Sequence, residues 1–506
     1  MKAKYIITAI AAGAILAASC DTSLLDIPQK GVQNEQSFYK TDSDCDQALA
    51  AVYKSTRNVM SGRPGVGQYE NSFMMKNLLS DDIRTGSSRT DQAPLQEIWE
   101  MHFVATNKWF RVLYQEYWQT IYLANLVTGK FNASDSDVKA RNIAEARGLR
   151  ALCYYDLVTL WGPVPLVTRV LKDSEEFKVK NTSVEEHWKF LETELEEIIS
   201  GGCLTQRKSI DDKDGSARFT IDAARTLLGK VYMYQGKNAE AAKVLKDVIE
   251  SGRFKLIDDV SLFYHPQANG CSEYVYEFVR HYDMNNMWDQ DGWMGILWNW
   301  PFALGYNMGA DATKFYNFNS QGYSYCQVPK ALYDAFVAEE GENGKRVTAW
   351  IVPQTKFPEI GIGITAQRSQ YNSEGYLRLK WLASKDDEDV SRWYGNMSNT
   401  PMFKYDDVLL LSAEACLNTG DKSSALKYVN EVRNRAGLPD KEDIDLDGIK
   451  LERRLELAMD GVRFQDLKRW GDAPRVLSDK AKRLPTLVIT PDPSNDPSDV
   501  TYHSWK

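Results

Sequence analysis

Asp445 to Gly471 reads DLDGIKLERRLELAMDGVRFQDLKRWG. Leu451, Leu455 and Ala458 recur at helical spacing and share one face. Glu452, Arg453, Glu456 and Asp460 fall on the other face, which the pattern assigns to the polar side of the helix. Gly461 stands where a helix end favours a residue tolerant of left-handed backbone. Phe464, Leu467 and Trp470 make a second apolar stripe, interleaved with Arg463, Asp466, Lys468 and Arg469. The expectation is a pair of short amphipathic helices joined at a glycine hinge and docked on a C-terminal core.

Upstream, the chain also reads as mainly helical. Asp44 to Arg57, Trp109 to Thr128, Val138 to Trp161 and Ser183 to Ile199 carry the 3.6-residue pattern. Ser183 with Glu186 three residues on is a capping-box pair. Trp161-Gly162-Pro163-Val164-Pro165 stops the longest helix. Leu228, Gly229, Val231, Tyr232, Gly236, Ala241, Leu245 and Val248 fall on the tetratricopeptide pattern of two helices around a tight turn. A weaker copy places Ala413, Gly420, Ala425, Val429 and Val432 at matching positions. Helix pairs of this kind bury their faces against neighbours, so a stacked scaffold is expected. Between the copies, about 258–401, helical periodicity fades and Gly, Asn, Asp and aromatics rise. Repeat scaffolds commonly carry such insertions on one face, as a binding surface.

The start of the chain reads as a leader. Lys2 and Lys4 precede an apolar run, Ile6 to Ala18, too short to span a bilayer. It ends Leu16-Ala17-Ala18-Ser19-Cys20, small residues before a cysteine, as a lipoprotein signal peptidase requires. The expectation is a signal peptide over 1–19, diacylglyceryl modification of Cys20, a lipid-anchored tether over 20–40, and one domain over 41–506. That domain divides into a helical part (about 41–257), the insertion (about 258–401) and a C-terminal helical part (about 402–506). The net charge of −9 is mildly acidic for 506 residues and argues against nucleic acid or anionic lipid as the main partner. Cys45, Cys153, Cys203, Cys271, Cys326 and Cys416 show no metal-type spacing.

Several strings resemble the SusD/RagB family, surface lipoproteins that bind nutrients for TonB-dependent transporters. Glu452 to Gly471 resembles the signature near that family's C-terminus. Trp118-Gln119-Thr120-Ile121-Tyr122-Leu123-Ala124-Asn125 looks like its W-x-x-I-x-x-A-N helix. Glu145 to Ala151, Tyr154 to Leu157 and Leu160 to Val167 look like its long helix and following turn. Val432 to Gly437, followed by Leu438-Pro439, also matches; Asp460 departs from the glutamate usual before the glycine. The resemblance implies a SusD-like fold, mainly α, with a tetratricopeptide-like scaffold and a loop-rich insertion. It also implies glycan ligands held by aromatics in loops, a place on the cell outer membrane, and a SusC-like TonB-dependent transporter as partner, to which the bound sugar passes.

The insertion supplies the main binding candidates. Trp288, Trp293, Trp298, Trp300, Phe302 and Tyr306 are interleaved with Asn286, Asp289 and further Asn and Asp. Sugars present flat C–H faces and a rim of hydroxyls; an exposed ring stacks on the face while amides and carboxylates bond the rim. A second polar loop, Asp81 to Ala93, offers Arg84, Arg89 and Asp91, and its composition suits a solvated loop. The ligand-binding set is therefore Trp288, Trp293, Trp298, Trp300, Tyr306, Asn286, Asp289 and Arg89. Asp443-x-Asp445-x-Asp447-Gly448 begins like a calcium loop, but Arg454 stands where a bidentate glutamate belongs, which favours a polar turn. None of the five His sits in HExxH or a ligand-spaced pair, and GxSxG, P-loop and GxGxxG motifs are absent. No metal or cofactor is expected, and no enzymatic activity. Two alternatives stay open: a peptide-binding relative serving a peptide importer, and a glycoside hydrolase, whose paired carboxylates sequence cannot reveal.

Overall fold

Gly229 shows how the scaffold closes. A Cβ there would lie 2.5 Å from the Leu245 side chain, so only glycine lets the two helices of the first repeat approach this far. Those helices are α7 (Ile221–Tyr234) and α8 (Asn238–Ile249), and Ala241, Leu245 and Val248 are fully buried between them. The weaker copy has the same build. Helices α11 (Tyr405–Asn418) and α12 (Lys422–Arg435) bury Ala413, Ala425, Val429 and Val432, and α11 packs against α8. Gly236 and Gly420 take the left-handed conformation between the helices of each pair, with φ of 70° and 88°.

The computed structural model describes residues 38–61, 70–86, 92–174, 176–279, 306–308, 325–356, 359, 362–364, 368–370, 373–381, 398–478, 480, 487–490 and 501–504. They form fifteen α-helices and short strands, so the mainly helical, tetratricopeptide-like reading holds. Before the first repeat come α1 (Asp42–Ser61), α2 (Ser72–Leu79), α3 (Ala93–Trp99), α4 (Lys108–Lys130), α5 (Asp137–Trp161) and α6 (Val184–Ser200). Ser183 and Glu186 make the expected reciprocal cap on α6. Helix α5 ends at Gly162, whose φ is 79°. It packs on α1, α4 and α6 and is buried on most sides. Its polar residues are consequently partnered inside: Glu145 accepts from Tyr53 and Arg218, and Asp156 from Lys76 and Tyr117.

The stretch 258–401 is less irregular than its composition suggests. It holds α9 (Lys330–Glu340) and α10 (Lys345–Trp350), with Leu332, Tyr333, Phe336, Val347 and Trp350 buried. After α12 come α13 (Leu446–Glu456), α14 (Arg463–Arg469) and α15 (Ala473–Leu477). No helix among the described residues is long and apolar enough to cross a membrane.

Among the described residues the strand pairs are all antiparallel, and apart from β10–β11 they join segments far apart in sequence. β1 (Arg84–Gly86) pairs with β4 (Tyr325–Gln327), and β2 (Tyr274–Phe278) with β9 (Thr400–Lys404). β3 (Tyr306–Met308) pairs with β6 (Ile362–Ile364), and β5 (Ile351–Pro353) with β8 (Tyr376–Arg378). β10 (Leu487–Thr490) lies between β7 (Arg368–Gln370) and β11 (Thr501–Ser504). The β2–β9 ladder is a stem: it joins the two ends of the chain that enters and leaves 279–399.

Glu277 lies inside that stem at 1% exposure, where its Oε1 accepts from Ser216 Oγ at 2.8 Å and from the Gly270 amide at 2.9 Å. Burial pushes its carboxyl up to about 7, and the Ser216 hydrogen bond only partly opposes this. The folded protein therefore binds a proton here that the unfolded chain releases near pH 4.5. The favourable contribution is full below that pH and is lost as pH rises through about 7. Glu277→Gln keeps an acceptor for Ser216 and Gly270 without the charge. It is expected to stabilise the protein by about 1–3 kcal/mol at pH 8 and by almost nothing at pH 4.5. Urea midpoints at the two pH values check this; equal shifts at both would refute it.

Candidate functional site

Two of the segments singled out in the sequence leave the scaffold at one place. In the β1–β4 ladder, Arg84 lies opposite Gln327 and Gly86 opposite Tyr325. The chain thus enters 87–91 beside the point where it arrives from 309–324. The polar loop and the insertion share a root.

That root is tightly held, which corrects the expectation of a solvated loop for Asp81 to Gly86; 87–91 lie outside the described residues. Asp82, Ile83 and Thr85 are 0–1% exposed. Trp99 Nε1 donates to the Ile83 carbonyl at 2.8 Å, and Thr85 Oγ1 donates to Gln96 Oε1 at 2.5 Å. Arg84 lies over the Trp99 ring and donates to Glu374 at 2.8 Å, and the same Glu374 oxygen accepts from the Lys330 amide. Burial lowers the Arg84 pKa, and Glu374 partly restores it. Arg84 therefore bolts the root to 373–378; it is not a free ligand for sugar. Beyond α3, His102 to Thr106 are all exposed, and Phe103 and Val104 stand 42% and 63% open. Sequence reading passed over them. Their signal is two adjacent apolar residues between one helix end and the next cap, Asn107, where no core face calls for them.

The signature stretch lies beneath this root, and its polar face is not on the surface. Glu452, Arg453, Glu456 and Asp466 are 0–6% exposed. The helices form as expected, with Gly461 at φ 77° between them, but the charges face partners inside. Arg454 Nε donates to Asp82 at 2.8 Å, and Arg463 Nε to Asp81 at 2.9 Å. Arg453 bridges Asp407 and Asp466, while Arg469 joins Glu414 and Asp466. Asp460 pairs with Lys380 and Lys404 and accepts from the Tyr264 hydroxyl. Lys480 donates to the Leu78 and Ser80 carbonyls; burial lowers its pKa to about 7, despite the nearby Asp81 charge. The helical period alone cannot distinguish a solvated polar face from a buried, paired one.

One trio among the described residues brings carboxylates close enough to suggest a metal: Glu273, Asp406 and Glu456, with oxygens within 4.8 Å of one another. Cations already fill that role. Arg435 bonds Glu273 and Glu456, Arg346 bonds Glu456, and Lys404 bonds Asp406 at 2.5 Å. Burial alone would raise the Glu456 carboxyl, but Arg435 and Arg346 hold it well below the ordinary range. Asp445 in the calcium-like string caps α13, accepting from the Gly448 amide at 2.8 Å, and Arg454 is committed to Asp82. The polar-turn reading fits that arrangement.

Trp288, Trp293, Trp298, Trp300, Asn286, Asp289, Arg89, Asp91 and Cys20 lie outside the described residues. Tyr306 opens β3, opposite Ile364 on β6, and its side chain is likewise outside them. What the described residues supply around these positions is the β2–β9 stem and the β1–β4 root.

Comparisons with known proteins agree over nearly the whole chain. The profile of the SusD family matches residues 295–502, and that of a family described as starch-binding and associating with the outer membrane matches residues 32–233. A SusD-like protein of Formosa agariphila is 24% identical over 499 residues, covering 91% of this chain and 90% of that protein. One from Bacteroides ovatus is 23% identical over 496 residues, covering 93% and 83%. Among solved structures, a laminarin-binding SusD-like protein superposes with a TM-score of 0.73 at 29% identity, covering 87% of this chain and 94% of that one. The surface glycan-binding protein A of Bacteroides thetaiotaomicron, solved with laminarihexaose, superposes with a TM-score of 0.70 at 21% identity, covering 92% and 95%.

Proposed function

Since the chain belongs to the SusD/RagB family, we propose that it is a cell-surface glycan-binding lipoprotein. In this reading it captures an oligosaccharide or polysaccharide and delivers it to a SusC-like TonB-dependent transporter of the outer membrane. The single observation that carries the ligand class is the likeness to the laminarin-binding SusD-like protein, which extends over most of both chains. A β-glucan of the laminarin type is therefore the first ligand to try. Cys20 carries the lipid, 20–40 is the tether, and 41–506 is the body. Binding is the whole mechanism. Rings of Trp288, Trp293, Trp298, Trp300 and Tyr306 stack on sugar faces, while Asn286, Asp289 and Arg89 bond hydroxyls. The β1–β4 ladder brings the base of the 87–91 loop, which carries Arg89, beside the segment 309–324 of the same insertion.

The test is calorimetry of the mature protein against laminarin, laminarihexaose and a panel of plant, host and microbial glycans. It is repeated with Trp288→Ala, Trp293→Ala, Trp298→Ala and Trp300→Ala. At least one variant that remains folded is expected to lose tenfold or more in affinity, about 1.4 kcal/mol. Binding untouched by all four would remove the insertion as the platform. No binding to any glycan would remove the glycan reading itself and bring peptide ligands forward. Incubation with laminarihexaose is expected to release no shorter product; product release would revive the hydrolase alternative.

A further inference from the structure

Helix α4 presents aromatics on its outer face at every fourth position: Phe110, Tyr114, Trp118 and Tyr122. The first three are half-buried against the core, and Tyr122 is 47% exposed. The rings touch along the row, Tyr114 with Trp118 and both Phe110 and Tyr114 with Trp161. At 1.5 Å per residue, the row from 110 to 122 is about 18 Å long. It runs into a cleft of about 1250 Å³, lined by Phe38, Tyr39 and Tyr122 on one side and by 168–172 and Glu176 on the other.

That second wall is fixed in place by residues of the family-like strings. Asn125 Nδ2 donates to the Val167 carbonyl at 3.0 Å and to that of Arg169 at 3.2 Å. Arg150 donates to the Thr168 carbonyl at 3.0 Å and is itself held by Glu194. The Tyr154 hydroxyl donates to the Val167 carbonyl and accepts from the Val167 amide. Backbone pinned this way leaves the side chains of Thr168, Arg169 and Lys172, all exposed, on a preformed rim beside an exposed phenol, with one Arg169 nitrogen donating to Glu176 at 2.8 Å and its other donors open to the cleft. Hydroxyl, guanidinium and ammonium donors around aromatic rings are the chemistry that receives a sugar. A surface built for lipid tails would lack the charged rim of Arg169, Lys172 and Glu176. The volume exceeds the 300–1,000 Å³ or so of an ordinary small-molecule pocket, which leaves room for several sugar units.

We propose that this cleft is a second glycan site, built without the insertion, which holds a further stretch of the same polysaccharide. The inference rests on the glycan-binding reading above and deepens it. Two sites on one body convert the second contact of a long chain into an intramolecular event. A short oligosaccharide held at one site gains nothing from the other. The cleft therefore acts on retention of polymer and not on affinity for a hexaose.

The test uses the mature chain, its Tyr122→Ala and Lys172→Ala variants and one insertion tryptophan variant. Each is run through native gels containing laminarin and titrated with laminarihexaose. Tyr122 and Lys172 are exposed, so neither change threatens the fold; circular dichroism checks this. The expected result is a roughly 3–10-fold weaker retardation of Tyr122→Ala by laminarin, in line with loss of a second linked site, with hexaose affinity unchanged. Retardation equal to wild type in both cleft variants, while the tryptophan variant loses it, would overturn the second site and leave the glycan-binding reading standing. An equal loss of hexaose affinity in Tyr122→Ala would overturn it too, by placing Tyr122 in the primary site. A wild-type protein that laminarin gels do not retard would overturn the laminarin-type ligand and this second site with it.

Discussion

Arg346→Met is expected to cost the fold about 3–5 kcal/mol at neutral pH, the range for stranding buried partners of an ion pair. Arg346 is fully buried and donates to Glu340, Glu452 and Glu456 at 2.5, 2.7 and 2.9 Å. Methionine fills similar volume and removes the charge, leaving three carboxylates with too few cations. Arg433 still reaches Glu452 and Arg435 still reaches Glu456, so Glu340 suffers most. The pH dependence gives the effect its signature. In the native protein Glu456 is held below its ordinary pKa, so its contribution is present above that value and is lost as pH falls through the lowered one. In the variant, burial without Arg346 raises the stranded carboxyls, so the folded state takes up protons the unfolded state does not. The deficit must then shrink on acidification. Urea midpoints of variant and wild type, compared at pH 7.5 and 5.5, read this directly. A deficit that is absent, or that grows at pH 5.5, would contradict the account.

The helices were legible because their apolar spacing is local information. Ser183 with Glu186, the Gly229–Leu245 contact and the break at Gly162 each depend on residues close in sequence, and each is where the pattern placed it. The polar residues were read less well, for a reason of the same kind. Glu452, Arg453 and Glu456 fall on the helix face that period assigns to solvent, yet their partners come from up to 110 residues away. No window on the sequence joins Arg346 to Glu456, or Arg454 to Asp82. Likewise Asp81 to Gly86 has the composition of a solvated loop, and only the distant Tyr325–Gln327 strand and the two arginines make it a buried root. Helices α9 and α10 are hard to see in the sequence because α10 has only six residues and Gly341 and Gly344 break the pattern between them. The insertion tryptophans lie outside the described residues, and what the structure shows near them in the chain is the β2–β9 and β1–β4 ladders.

If the β1–β4 root positions the proposed ligand loops, Arg454→Met with Arg463→Met is expected to change both stability and binding. Asp82 is 1% exposed and receives Arg454 at 2.8 Å, while Asp81 receives Arg463 through two nitrogens, at 2.9 and 3.1 Å. Burial raises the Asp82 pKa and Arg454 opposes it; at Asp81, burial is outweighed by Arg463 and Arg454, so that pKa is lowered. Removing both arginines strands two adjacent carboxylates under β1, at an expected cost of about 3–5 kcal/mol. Adding Asp82→Asn should recover part of that cost, because it removes the more deeply buried stranded charge; the difference between this effect and that of Asp82→Asn alone in the wild-type chain is the coupling of Asp82 to the two arginines. Binding should respond separately. A site held about 1 Å looser loses affinity even when the contacting side chains are unchanged. With the protein still folded, laminarihexaose affinity is expected to fall roughly 3–10-fold in the double variant, as a loosened supporting shell implies. The Tyr122 cleft is held by Asn125, Arg150 and Tyr154, not by these arginines, so it should contribute to laminarin retention as before. Destabilisation without any loss of hexaose affinity would show that the β1–β4 root does not position the ligand site. Loss of affinity with no destabilisation would mean that the arginines touch the sugar themselves.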